Sequence, residues 1–157
     1  MIIRRFSDDD ANEVSAVIIE ALKVSNSKDY PKDYIDNYVN KLTPQEVIQR
    51  ASDAHFYVVC DKDRIIACAG IGSYWGSLTE SWLTTVFVHP DYQGRGVGRK
   101  LIETLEKDEY FLRADRIEVP ASITGTPFYI KMGYNYKQGV NRPDDEGLIR
   151  LEKFREI

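Results

Sequence analysis

The sequence is poor in the residues that build metal centres and disulfides. It holds two cysteines and two histidines in 157 residues. No group of His, Cys, Asp and Glu falls at metal-ligand spacing, so no metal is expected. Cys60 and Cys68 lie inside apolar, strand-like runs and read as reduced core thiols, which points to the cytoplasm. No apolar run approaches the ~20 residues of a membrane span, so no membrane partner is expected. The first residues, Met1 to Phe6, lack the apolar stretch and small-residue cleavage site of a secretory signal. An excess of basic residues is missing as well: 21 Lys and Arg face 25 Asp and Glu, for a net charge of −4. That balance argues against a nucleic-acid partner. There is no Ser/His/Asp order around a nucleophile elbow. Internal repeats, linkers and low-complexity tracts are absent too.

What is present suits a globular enzyme-sized unit. The apolar fraction of 43% and charged fraction of 29% are ordinary, and the length suits a single domain spanning 1–157. Residues 1–6 predict a strand. Val14, Val17, Ile18, Ala21 and Leu22 then repeat at helical spacing behind a Ser7-Asp8 cap. Pro31 opens a second helical region through Tyr34, Ile35, Tyr38 and Val39. Thr43-Pro44-Gln45-Glu46 is a helix start with a cap, a first-turn proline and a glutamate placed for a capping box. Strands follow at 55–60, 64–74 and 80–88. A helix after 97 carries an apolar stripe and a Glu103–Lys107 pair on its other face. A buried strand at 116–119, a helix at 124–132 capped by Gly133, and strands at 134–137 and 148–154 joined by a hairpin turn complete the chain. Helices between the first two strands, then a hairpin, then strand-helix-strand-helix-hairpin, describe a mixed α/β domain.

Gln93-Gly94-Arg95-Gly96-Val97-Gly98 carries the most chemistry. It follows a β-branched strand and opens a helix. Glycines let the backbone approach an anion, and the free N–H groups of a helix's first turn then point at it. Arg95, Arg99 and Lys100 add positive charge. The spacing is neither the dinucleotide fingerprint nor a P-loop: Arg99 stands where each would need a glycine. On these residues alone, a tight turn before a helix is the preferred account.

A wider pattern decides between them. Gln93, Gly96 and Gly98, preceded by Val88-His89-Pro90 and followed by a helix, resemble the acetyl-CoA loop of the GNAT acetyltransferases. Pro120 to Tyr134, with Phe128-Tyr129 on a short helix that ends at Gly133-Tyr134, resembles that family's later motif. The resemblance spans roughly residues 65–152 and implies a central, mostly antiparallel sheet with splayed middle strands flanked by helices. It also implies acetyl-CoA as co-substrate, held by Gln93 to Lys100 and by the backbone of Phe87 and Val88, which would bind the pantetheine arm as an added strand. Ser122, where many relatives carry Asn, keeps a hydrogen-bonding group and joins this set. Tyr129 matches the family's acid, which protonates the departing thiolate. A phenol with an ordinary pKa of ~10 holds its proton at neutral pH. Glu80 is a candidate base: it shares a strand face with Trp82, where some relatives carry a glutamate. A solvated strand-end charge is an equal account of Glu80. Tyr74, Trp75 and Trp82 are candidates to line an acceptor pocket under a lid of Tyr30, Tyr34 and Tyr38.

The implied activity is direct acetyl transfer from acetyl-CoA to a primary amine of a small molecule or peptide, in a ternary complex. A homodimer is the expected assembly if one forms. Two other readings stay open: a non-catalytic acyl-CoA-binding or sensor domain on the same fold, and a module whose glycine loop holds another anion. Tyr129 favours the enzyme, because binding alone needs no thiol acid.

Overall fold

The computed structural model describes residues 1–155. Along the chain come β1 (Ile2–Arg5), α1 (Ala11–Val24), α2 (Lys32–Lys41), α3 (Pro44–Ser52), β2 (His55–Asp61), β3 (Arg64–Ser73) and β4 (Glu80–Val88). Then follow α4 (Val97–Leu105), α5 (Glu109–Leu112), β5 (Arg116–Ser122), α6 (Thr126–Lys131), β6 (Asn135–Tyr136) and β7 (Leu148–Phe154). The strands form one sheet in the order β1-β2-β3-β4-β5-β7-β6. Every pairing is antiparallel except β4 with β5.

Helices cover both faces, so the central strands are apolar on both sides. Ile65 and Cys68 of β3 pack with Val14, Ile18, Leu22, Ile35 and Val47 from α1, α2 and α3. Ile66, Ala69 and Ile71 pack the other way, with Leu101, Ile102 and Leu105 of α4, Phe111 of α5 and Tyr129 of α6. The helix starts follow from local chemistry. Thr43 Oγ1 accepts the N–H of Glu46 at 3.2 Å, and Pro44 takes the first position, where no N–H is needed. The other half of the expected capping box is replaced: the Glu46 carboxylate pairs with Arg50, one turn on, at 3.1 Å.

Two irregularities in the middle of the sheet position the site. β4 and β5 pair only through Glu80–Arg116, Ser81–Ile117 and Trp82–Glu118, and beyond those residues they share no ladder. The register of β3 with β4 also slips between Cys68–Phe87 and Gly70–Thr84, so β4 uses three steps where β3 takes two. That is a β-bulge, and Thr85 sits in it at φ +53°. A β-branched residue at positive φ is strained, by about 1–3 kcal/mol. It persists where its surroundings hold it: Thr85 Oγ1 bonds Arg50 and Thr84, and its carbonyl accepts the Cys68 thiol.

Several sequence expectations need correction. β5 runs on through Pro120 to Ser122 rather than stopping at 119. The proline is tolerated because the β4 side of β5 is unpaired there, so no ladder bond is lost. α4 ends at Leu105, leaving Lys107 in the following turn, and among the described residues Glu103 and Lys107 form no ion pair. The helix predicted at 124–132 is six residues, Thr126–Lys131, and the strand at 134–137 shrinks to Asn135–Tyr136. α5 was not expected. At four residues it is too short to show a period, and its visible signal is Asp108, whose side chain accepts the N–H of Tyr110 at 2.8 Å.

Candidate active site

β4 leads through Pro90–Tyr92, a single 3-10 turn, into the glycine loop and α4. Gln93 fastens the loop through the nitrogen of its side-chain amide. Its Nε2 donates to the Val88 carbonyl at 3.1 Å and to Ser25 Oγ, at the end of α1, at 2.9 Å. Gly94 and Gly96 adopt φ of +78° and +80°, which a side chain would oppose. The first helical bond of α4 is Lys100 N–H to the Gly96 carbonyl at 3.1 Å. The N–H groups of Val97, Gly98 and Arg99 therefore have no acceptor within the helix. Gly98 does a different job: a Cβ there would meet the Phe128 ring at 3.2 Å, so its absence lets α6 close against α4.

A cavity of about 590 Å³ opens between this loop, the far end of β4, and α6. Its walls include Phe87, Val88, Gln93, Gly94, Gly96, Val97, Gly98, Arg99, Ser122 and Tyr129, all expected from sequence. Arg95 and Lys100, also expected, are elsewhere. Arg95 lies over the Tyr92 ring, 5.1 Å from its centroid, and Lys100 stays exposed on α4. Lys131, not foreseen, lines the cavity with Arg99. Phe87 packs with the α1–α3 side of the core. Ser122 Oγ accepts the Gly125 N–H at 2.9 Å and so shapes the turn into α6.

Where β4 and β5 part, a smaller cavity of about 100 Å³ shares Val86, Phe87, Ser122 and Tyr129 with the first. On its other side it shares Tyr34, Tyr38, Thr84, Thr85 and Leu148 with a third, a cleft of about 820 Å³. The small cavity thus lies between the other two, beside the bulge at Thr85. Tyr129 stands in the throat. It is 6% exposed and packs edge-on to Phe128 and Tyr134. Its hydroxyl has no hydrogen-bond partner among the described residues, yet no fully buried side-chain oxygen or nitrogen there lacks one. The hydroxyl therefore opens into the cavity. Burial pushes this phenol well above its ordinary pKa, so it stays protonated.

The cleft is walled by α2, α3, Trp75, Trp82 and the 145–148 segment. Tyr30 and Tyr34 stack at 4.4 Å, and their hydroxyls donate to the Gly147 and Glu146 carbonyls at 2.6 and 2.8 Å. Trp75 stands 93% exposed at the rim. Tyr74 does not line the cleft; Arg116 and Lys137 pack over its ring.

Residues 52–136, more than half of the chain, match the family model of the acetyltransferase (GNAT) domain. The chain belongs to the GNAT acetyltransferases. It is an acyltransferase, with the mixed α/β fold of that family. The uncharacterized N-acetyltransferase YafP of Escherichia coli (strain K12) is 26% identical over 132 residues, which cover 84% of this chain and 79% of YafP. Two solved structures share the fold over most of their length. The PaiA N-acetyltransferase from Thermoplasma acidophilum, in complex with coenzyme A, superposes with a TM-score of 0.81 at 18% identity, covering 98% of each chain. A GCN5-related N-acetyltransferase from Rhodopseudomonas palustris gives 0.80 at 22% identity, covering 98% of this chain and 95% of that one.

Within this acetyltransferase, Glu80 is not brought to Tyr129. Its carboxylate accepts Arg116 Nη1 at 2.7 Å at the paired end of β4, and it lines none of the three spaces. Arg116 also holds Glu152 at 2.7 Å and the buried Glu118. Among the described residues the throat itself holds no carboxylate or imidazole. Its tyrosines are poor bases, since burial and neighbouring charge push Tyr34 up to about 12. Sequence reasoning missed Arg50, which reaches the bulge from α3. Only its place in the last turn of a capped helix was visible. No described group of three or more His, Cys, Asp and Glu gathers as a metal site. No described helix is long and apolar enough to cross a membrane.

Proposed function

We propose that this acetyltransferase moves an acetyl group from acetyl-CoA to a primary amine, by direct attack in a ternary complex. The observation that carries the reading is the unpartnered Tyr129 hydroxyl, open to the throat that lies between the 590 Å³ and 820 Å³ spaces. The larger motif supports coenzyme A on the loop side. Positive-φ glycines, three free N–H groups and the unpaired run of β4 suit a pyrophosphate followed by an amide-bearing arm. Arg99 and Lys131 add charge there. When bound, the thioester supplies the acyl carbon and a thiolate leaving group.

The protein's own part is positioning, together with one proton. The throat aligns amine and thioester, and this alignment is the main source of rate. Tyr129 keeps its proton through neutral pH and donates it to the departing sulfur. With Glu80 tied to Arg116, water takes the proton of the incoming ammonium. Tyr129→Phe tests the assignment. Turnover with any accepted amine should fall roughly 10²-fold, while the melting shift caused by acetyl-CoA stays as in the wild type. Full turnover in this variant would remove the tyrosine from the mechanism.

A further inference from the structure

Among the described residues, the charged side chain that hydrogen-bonds the bulge is a cation. Arg50 comes from α3, and its guanidinium is held from three directions. Nε donates to Glu46 at 3.1 Å, and Nη1 donates to Thr85 Oγ1 at 3.2 Å and Tyr38 Oη at 3.4 Å. The Tyr38 ring lies 5.8 Å from its Cζ. Nη2 has no partner among the described residues. No fully buried side-chain nitrogen there lacks one, so Nη2 faces the cleft that Arg50 lines. The result is a fixed, half-buried guanidinium with one end of its fork free, beside the throat.

Such an end suits one chemistry above others. A planar guanidinium pairs with carboxylates, and fixing it beforehand lowers the ordering cost of each bond. Of the four carboxylates that line the cleft, Glu46 is already on Nε and Glu146 sits by Arg150 at 3.9 Å, while Asp53 and Asp145 form no ion pair with Arg50 among the described residues. An acceptor with positive charge all along its length would carry that charge to Arg50 as it entered the throat. An acceptor with a carboxylate close to its amine would leave the amine in the throat and place the acid on Nη2.

We infer that the acceptor is an aminocarboxylate, an amine bearing a carboxylate within a few bonds of the reacting nitrogen, and that Arg50 binds that carboxylate. The inference rests on the amine-acetylation reading and narrows it. It is tested on the wild-type protein with matched pairs: phenylalanine against phenethylamine, leucine against isoamylamine, lysine against cadaverine. Thiol release from acetyl-CoA is followed for each. The amino acid of at least one pair should show a kcat/KM roughly 10- to 100-fold above its decarboxylated partner. Arg50→Lys and Arg50→Gln, which also release Thr85, should then raise KM for that amino acid roughly 10-fold or more beyond any rise for its partner amine. Decarboxylated amines used as well as the amino acids, or an equal loss for both in the Arg50 variants, would overturn the assignment while leaving amine acetylation standing. Thiol release that no amine of either kind accelerates would overturn both. The comparison in wild-type protein decides the question even if the Arg50 variants fold poorly.

Discussion

Tyr129 and Glu118 are both buried, and burial acts on them in opposite company. Around Tyr129 nothing offsets the loss of water, so the phenol holds its proton more tightly. Around Glu118 burial also favours the protonated acid, but hydrogen bonds from Lys137, at 2.9 Å, and Arg116 outweigh it, and the carboxyl titrates below its ordinary 4.5. A carboxyl whose folded pKa lies below its unfolded one adds stability at pH above about 4.5, and that stability is lost as the pH falls through the folded value. Glu118→Gln should therefore lower the unfolding free energy read from urea titration at pH 7 by on the order of 2 kcal/mol, and flatten the decline of the midpoint between pH 5 and 3. A midpoint that keeps the wild-type acid slope would assign the acid sensitivity to other carboxylates. The same cluster explains why Glu80 misled. Strand alternation correctly put Glu80 on one face with Trp82, but its partner Arg116 comes 36 residues later on a neighbouring strand. Arg50 and Thr85, 35 residues apart, escaped notice for the same reason. Gly96 and Tyr129 were legible because their signals are local: glycines before a helix start, and an aromatic pair on a short helix before Gly133.

At the scale of elements, two close approaches shape the walls of the site. Where α4 meets α6, Gly98→Val would drive a side chain into Phe128. It should cost about 1–3 kcal/mol of stability and abolish most of the melting shift caused by acetyl-CoA. A normal shift in a folded Gly98→Val protein would put the co-substrate away from this contact. The second approach joins α2 to the segment before β7. A Cβ on Gly147 would stand 3.1 Å from the Tyr34 ring and 3.2 Å from that of Tyr30, the two rings that bond this segment's carbonyls. Tyr30 Oη also accepts the Ile123 N–H at 2.8 Å, which ties the clamp to the end of β5. Gly147→Ala should loosen it and raise the acceptor KM by roughly 10-fold or more, with the acetyl-CoA KM little changed. Equal changes in both would show that the clamp supports the whole throat rather than the acceptor side. The sequence offered Tyr30, Tyr34 and Tyr38 as a lid. The carbonyls that Tyr30 and Tyr34 hold were not visible there, because the hairpin turn places them only after β7 has paired.

In the whole molecule, the order of elements was readable because helices and strands alternate in period along the chain. The gap between β4 and β5 was expected from family resemblance, and no local pattern marks it beyond Pro120. Among the described residues, three register pairs at Glu80–Trp82, with the Asp115 N–H to Thr79 carbonyl bond beside them, hold the β1–β4 part of the sheet to the β5–β7–β6 part edge to edge. In the free protein, amides near the gap should therefore exchange with solvent through small openings, well below the energy of global unfolding. At ~100 times its dissociation constant, acetyl-CoA should add about 2.7 kcal/mol to stability. That gain should not spread evenly. Deuterium uptake should slow most at 86–88 and 119–122, on the two lips of the gap, and hardly change in β2, which is paired on both edges. Uniform slowing across the sheet would mean that the gap is no softer than its surroundings. If uptake slows at the lips, the free protein carries two sheet segments with separate thermal lives, and the co-substrate makes them one cooperative unit.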